Sequence, residues 1–149
     1  MEIREIMTAS VVTAVPEAAV QDVASLMRER NVGSVVVVDG AGHPVAMVTD
    51  RDLTISALAD ASDPELPVGR FATAPVVTGE AGMDLDEAAA LMVAHRIRRL
   101  PVMDEGELAG IVTLDDIAVR TGNLELAQQM TAEVARAVFP DFYFHQRGG

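Results

Sequence analysis

The sequence predicts an α/β chain of the α+β kind, built from two copies of a β-α-β-β-α unit packed on each other and followed by a C-terminal tail helix. The main observation is self-similarity. Pro16 to Leu53 and Ala81 to Ile117 carry one pattern, with Val12-Thr13 matching Val77-Thr78 at an offset of 65 residues. Further on, Thr49-Asp50-Arg51-Asp52 matches Thr113-Leu114-Asp115-Asp116 at an offset of 64, so one residue is lost between. The turn around Asp39-Gly40-Ala41-Gly42 is the natural place for that loss, because a length change in a turn leaves a packed unit intact. A second observation is size. Each copy is too small to bury its own apolar face, so the two must pack together.

Each element follows from local pattern. Val20, Val23, Ala24 and Met27 recur at helical spacing, and Leu85, Ala88, Ala89 and Met92 repeat it in the second copy. Asp84 is an N-cap for the second of these helices, with Asp86 and Glu87 in the first turn, where the macrodipole favours acids; Ala19 is a poorer counterpart. A strand follows each helix (Val35 to Val38, Leu100 to Met103), then a Gly-containing turn and another strand (Val45 to Val48, Leu108 to Val112). A second helix begins at Thr49 and at Thr113, and short extended segments, Val11-Val12-Thr13 and Val76-Val77-Thr78, precede each copy.

These elements divide the chain into residues 1–62, the first repeat with its N-terminal segment, and 71–121, the second repeat. Pro64, Pro67 and Gly69 mark residues 63–70 as the linker. Residues 122–149 form a tail: Asn123 caps a helix in which Leu124, Ala127, Val134, Ala135 and Val138 share a face. Four of the five aromatics (Phe139, Phe142, Tyr143, Phe144) follow it. The tail either docks on its own core or makes a subunit contact.

Composition narrows the function. At 149 residues and 50% apolar content, the chain is long enough for one folded domain with an ample core. Val35 to Val38 falls far short of the roughly 18 apolar residues of a membrane span, and Met1-Glu2-Ile3-Arg4-Glu5 lacks a signal-peptide pattern, so a cytoplasmic protein is expected. The absence of cysteine excludes disulfides and thiolate chemistry. His43, His95 and His145 are too scattered for a metal site and read as lone surface residues. A net charge of −12 argues against nucleic acid as a partner, because phosphate-backbone binding draws on clustered Lys and Arg. The arginines do concentrate at Arg96, Arg98 and Arg99.

No nucleophile elbow, HExxH or Gly-rich phosphate loop occurs, so no catalytic machinery is visible and the chain reads as a non-enzyme. Both copies instead run a strand into Thr-x-x-Asp at a helix start: Ala46-Met47-Val48-Thr49-Asp50-Arg51-Asp52 and Gly110-Ile111-Val112-Thr113-Leu114-Asp115-Asp116. This is close to a capping box, a purely structural device. The same geometry suits a ligand, since free N–H groups at the helix start favour phosphate and a carboxylate accepts ribose hydroxyls.

Two copies ending in Gly/Ala-h-Val-Thr-x-x-Asp, each preceded by an amphipathic helix and a strand such as Arg98-Arg99-Leu100-Pro101-Val102, resemble a pair of cystathionine β-synthase (CBS) domains, a Bateman module. The resemblance covers roughly residues 1–120. The segments Met47 to Leu53 and His95 to Val102, with the short length, particularly resemble stand-alone bacterial CBS-pair proteins of the hypoxic response protein type. That resemblance implies two three-stranded sheets in pseudo-twofold symmetry, with clefts that commonly receive adenosine-containing ligands such as AMP, ATP, NAD or S-adenosylmethionine. Carried over by position, Asp52 and Asp116 would hold ribose hydroxyls, and Thr49 and Thr113 would contact ribose or phosphate. Val11-Val12-Thr13 and Val76-Val77-Thr78 would line the base pocket, with Met47 and Ile111 as apolar walls. Arg98 and Arg99 occupy the place of a basic pair that faces phosphates in relatives; the alternative is a solvated surface pair. Two guanidinium forks suit phosphate oxygens.

The copies also differ. Gly33-Ser34 stands in place of the basic pair in the first copy, Ala46 in place of Gly110, and Val36 in place of Pro101. A methyl group at Ala46 is expected to tighten the backbone approach to a ligand. Arg51 offers the first copy a different positive charge. One better nucleotide site is expected, not two equal ones. The function expected is a regulatory sensor in which an adenine nucleotide, with no other cofactor required, shifts packing or assembly and passes the response to a separate effector protein. A ligand-independent assembly module is the competing reading. A homodimer is expected, with contacts around Leu53, Leu58 and Ile117.

Overall fold

Two three-stranded sheets, each with one parallel and one antiparallel pairing, form the frame of the computed structural model, which describes residues 1–138 and side chains through 135. The first repeat contains β1 (Thr13–Ala14), α1 (Val20–Arg30), β2 (Ser34–Val38), β3 (Pro44–Thr49) and the short α2 (Asp50–Asp52), which widens into a π turn over Leu53–Leu58. The second contains β4 (Gly79–Glu80), α3 (Leu85–Ala94), β5 (Arg99–Asp104), β6 (Glu107–Thr113) and α4 (Leu114–Thr121), and α5 (Leu124–Val138) closes the described chain. The expected β-α-β-β-α order is present in both.

Register confirms the repeat residue by residue. β1 pairs parallel with β2 (Thr13 opposite Val36), and β4 with β5 (Gly79 opposite Val102). Val36 stands opposite Met47 in the β2–β3 hairpin, as Pro101 stands opposite Ile111 in β5–β6. The first strand of each repeat starts later than the expected segments, on Thr13 and Gly79, with Val12 and Val77 leading in. The missing residue does lie in the hairpin turn. The β5–β6 connection turns on Glu105 and Gly106, with φ of 51° and 81°, the left-handed pair that a tight two-residue hairpin needs. In the longer β2–β3 connection, Asp39 Oδ1 accepts from the N–H groups of Ala41 (2.9 Å) and His43 (3.0 Å).

The helices start as their caps dictate. Asp84 accepts from the Asp86 N–H at 3.1 Å, and Asn123 Oδ1 accepts from the Leu126 N–H at 3.1 Å. Ala19 has no side chain for this purpose. The N–H groups of Val20 and Gln21 donate instead to the carbonyls of Leu66 (2.9 Å) and Pro64 (3.0 Å), from the stretch expected as linker. That stretch is a packed part of the fold. Val68 is fully buried, and its N–H donates to the Ala18 carbonyl at 2.7 Å. The N-terminal segment performs the matching task for the other repeat: Leu85 N–H donates to the Met1 carbonyl, and Ile3 N–H to Met83.

The leaders are therefore exchanged. Ile3 and Ile6 belong to the core of Leu85, Ala88, Met92, Leu100 and Val112, whereas Val68, Phe71 and Ala72 pack with Val23, Met27, Val35 and Val48. Each segment entering one repeat in sequence is buried against the other.

The tail helix breaks the symmetry of the cores. Ala127 and Met130 of α5 join the second core against α3 and α4, which settles the docking of this helix, while the aromatic tail lies outside the described residues. Ala89 is accordingly buried, but its counterpart Ala24, expected in the helix stripe of the first repeat, is exposed because, among the described residues, no helix covers α1 as α5 covers α3. The dimer face expected from sequence also needs correction. Leu53 and Ile117 are buried in their own cores, and only Leu58 is exposed, joined on the surface by Ile55, Val119 and Leu124. No helix among the described residues is long and apolar enough to cross a membrane.

Candidate nucleotide cleft

Both Thr-x-x-Asp segments form reciprocal capping boxes. Thr49 Oγ1 accepts from the Asp52 N–H at 3.1 Å while Asp52 Oδ2 accepts from the Thr49 N–H at 2.9 Å. Thr113 and Asp116 repeat both bonds at the same distances. The structural reading of the motif is thus correct. It consumes one carboxylate oxygen in each box, and the other remains to be accounted for.

Around the first box lies a cleft of about 430 Å³, a volume in the range of small-molecule sites. Its walls come from both repeats. Met47, Thr49 and Asp52 are contributed by β3 and α2; Thr73, Pro75, Val76 and Val77 by the leader of the second repeat; Arg96 to Arg99 by the turn from α3 into β5; and Val134 by α5. The exchanged leaders make this assembly possible. Met47 and Thr73 exchange backbone hydrogen bonds at 3.0 and 2.8 Å, which lays the second leader along β3. Thr8 and Ile111 do the same for the first leader and β6, both bonds at 2.9 Å.

Of the residues singled out from sequence, Met47, Thr49, Asp52, Val76, Val77, Arg98 and Arg99 meet in this cleft. The basic pair therefore stands with the box of the first repeat, not with that of its own. Ile111, Thr113 and Asp116 form the second box. Val12 packs against the first core, Thr13 lies exposed in β1, and Thr78 is half-buried; none of the three lines the cleft, and neither does the exposed Arg51. Thr73, Pro75 and Ile97 were missed, although the offset of 65 matches Thr73 to Thr8. Arg96 was visible as part of the arginine cluster and Val134 as part of a helix face, but neither pointed to the cleft. Arg96 sits at φ 58°, the left-handed position that ends α3, as Asn31 does at φ 53° after α1.

Charge sets the cleft apart from the rest of an acidic surface. Among the described residues, no carboxylate lies within salt-bridge distance of Arg96, Arg98 or Arg99; the same holds for the scattered Arg28, Arg30, Arg51 and Arg70, but only these three converge on one cleft. The space next to Gly110 is taken by the chain itself. A Cβ there would lie 2.6 Å from Met7 Sδ and 2.9 Å from the Thr8 carbonyl oxygen, so the Gly/Ala difference between the repeats concerns the leader, not a ligand approach as the sequence had implied. No group of His, Cys, Asp and Glu among the described residues is arranged to hold a metal ion.

Tandem βαββα units with exchanged leaders, and a cleft where a helix-capping Thr-Asp box faces arginines, define a paired-repeat type of module. Comparison with known families agrees: the CBS domain model matches residues 3–57 and 68–120, and the chain belongs to the CBS domain family. The CBS domain-containing protein YhcV of Bacillus subtilis is 39% identical over 125 residues, which cover 84% of this chain and 89% of that protein. Hypoxic response protein 1 of Mycobacterium tuberculosis is 34% identical over 116 residues, covering 77% and 81%. Among solved structures, Hypoxic Response Protein I with two coordinated zinc ions superposes with a TM-score of 0.72 at 33% identity, covering 79% of this chain and 97% of that one. A CBS domain protein of Pyrobaculum aerophilum complexed with AMP gives a TM-score of 0.75 at 29% identity, covering 86% and 99%.

Proposed function

We propose that this chain is a regulatory CBS-pair module that binds an adenine nucleotide in the cleft between Asp52 and Arg96–Arg99. The observation carrying this reading is the composition of that cleft: a capped helix start with a carboxylate from one repeat, and three arginines from the other with no carboxylate partner among the described residues. A nucleotide placed there has its ribose hydroxyls at the free oxygen of Asp52, its base between Met47 and Val77, and its phosphates at the guanidinium forks. The arginines favour a phosphate-bearing ligand over the cationic sulfonium of S-adenosylmethionine, because like charges repel in a partly desolvated site. The AMP complex of the Pyrobaculum aerophilum protein supports the ligand class.

Such a ligand would tie the two repeats together, and it shifts their packing only to the extent that it binds one arrangement more tightly than another. The response then passes to a separate effector protein in the cytoplasm. We read the chain as non-catalytic, since the carboxylates of both boxes are committed to helix caps and no activated nucleophile stands beside them. Self-association belongs to the same proposal: Ile55, Leu58, Val119 and Leu124 leave apolar surface exposed, and a homodimer would cover it. A CBS-CP12 protein of similar fold is hexameric, which supports assembly as a property of such modules. Light scattering that returned the monomer mass of 15.8 kDa at micromolar concentration would remove the dimer.

Calorimetric titration with AMP, ADP, ATP, NAD and S-adenosylmethionine tests the ligand. A micromolar dissociation constant, about 8 kcal/mol, is expected for a phosphate-bearing nucleotide. Asp52→Asn keeps an acceptor for the Thr49 N–H but loses a charged oxygen, so it should weaken binding while the melting temperature holds. Silence from all five ligands, in folded protein free of carried-over nucleotide, supports the ligand-independent assembly module instead.

A further inference from the structure

We propose that the second Thr-x-x-Asp box is closed by the chain's own Arg120, so that the module takes one nucleotide per chain, at Asp52. This rests on the nucleotide reading of the first cleft and adds which box can answer to it. The two boxes share their caps but not the fate of the remaining carboxylate oxygen. Asp116 Oδ2 accepts from the Thr113 N–H at 2.9 Å and from the Thr113 hydroxyl at 3.2 Å. Its Oδ1 accepts from the Thr8 hydroxyl at 3.4 Å and pairs with Arg120 Nε at 3.4 Å. A carboxylate offers about four lone-pair directions; three accept hydrogen bonds here, and the guanidinium stands against Oδ1 as an ion pair.

Arg120 is itself held in place. Its Nη1 donates to the Met7 carbonyl at 3.0 Å and the Ile6 carbonyl at 3.3 Å, and its Nη2 to Thr8 Oγ1 at 3.4 Å. The leader that crosses over to the second repeat thus supplies the acceptors that seat the guanidinium over Asp116. A ribose approaching this carboxylate must displace a cation and leave two backbone carbonyls to find new donors, a penalty on each group stripped of its partner. The i, i+4 spacing from Asp116 to Arg120 puts the pair on one face of α4.

The first box has the matching leader but not the clamp. Four residues beyond Asp52 stands Ser56, on a π turn, and Thr73, the counterpart of Thr8, makes no hydroxyl bond to Asp52 among the described residues. Among the described residues, Asp52 accepts from the Thr49 N–H and pairs with no cation. The arginine wall faces Asp52, while the matching place on the other side is Gly33-Ser34.

Native mass spectrometry and equilibrium dialysis with ATP read the stoichiometry. Wild type is expected to hold one ATP per chain, insensitive to Asp116→Asn. Arg120→Ala is expected to hold two, and adding Asp116→Asn to it returns the count to one. Arg120→Met, which keeps the aliphatic stem but removes the cation and its donors, serves should the alanine variant fail to fold. Two ATP in wild type, or one in both Arg120 variants, overturns the proposal while leaving the first cleft intact. No ATP in wild type with one in Arg120→Ala would sink the reading of the first cleft and uphold the clamp. A ligand-free readout covers the remaining case: with Nη1 and Nη2 held by Ile6, Met7 and Thr8, the Arg120 guanidinium should show hindered rotation in NMR spectra, and free rotation would overturn the clamp whatever ATP does.

Discussion

Thr73 donates its N–H to the Met47 carbonyl at 2.8 Å and accepts from the Met47 N–H at 3.0 Å, which joins the leader of the second repeat to the strand that ends in the Thr-Asp box of the first. This one pairing decides which residues share a cleft. Thr73→Pro removes the donor and is expected to cost about 1–3 kcal/mol. Urea denaturation measures the loss, and ATP affinity should fall with it by tenfold or more even where the variant remains folded. Unchanged affinity in folded Thr73→Pro protein would mean that the leader does not form the cleft wall.

Ala24 and Ala89 occupy matching places in α1 and α3, yet only Ala89 lies under α5. Ala24→Leu should change stability by less than about 0.5 kcal/mol, whereas Ala89→Leu pushes three more carbons between α3 and α5 at a position 4% exposed and should cost about 1–3 kcal/mol. Thermal melts of the two variants make the comparison. Equal effects would contradict the docking of the tail helix.

Gly110→Ala places a methyl group against Met7 and the Thr8 carbonyl, 2.9 Å away. Met7 can move, but the backbone cannot without losing its pairing to Ile111, so destabilisation of about 1–3 kcal/mol is expected. Adding Met7→Ala should recover part of it and not all. Full recovery would show that the backbone contact carries no cost.

The hairpin turn of the first repeat should carry a small pH dependence. The His43 N–H, followed by that of Ala41, holds the Asp39 carboxyl below its ordinary value. A carboxyl depressed in the folded state stabilises above its unfolded pKa of about 3.9, and the contribution is lost as pH falls through the folded value. Asp39→Ala should therefore melt below wild type at pH 7, and the gap should narrow toward pH 3. A gap constant across that range would count against the turn geometry.

The parts of the fold that depend on neighbours in sequence were legible. Asp84, Thr49, Thr113 and Asn123 announce helix starts because a cap acts within three residues, and the lost residue falls in a turn because only there does the register survive it. What the sequence hid was long-range. Nothing local says that Ile3 packs with the second repeat and Val68 with the first, although their separation of 65 residues marks them as equivalents. Without that exchange, Arg98 and Arg99 look like the property of their own repeat, and Ala24 looks as buried as Ala89. The Arg120–Asp116 pair spans four residues and could have been read as a helix-surface pair, but its bonds to Ile6, Met7 and Thr8 could not. Of the residues lining the cleft, those within one strand-to-helix turn were legible; of those brought by the crossing leader, Val76 and Val77 were and Thr73 and Pro75 were not.

The most direct measurement is a crystal structure of the chain grown with ATP. The account predicts nucleotide density between Asp52 and Arg98–Arg99, with the ribose on the Asp52 carboxylate, the phosphates on the guanidinium groups, and Arg120 still seated on Asp116. Density at the Asp116 box with Arg120 displaced, or an empty cleft at saturating ATP, would contradict it.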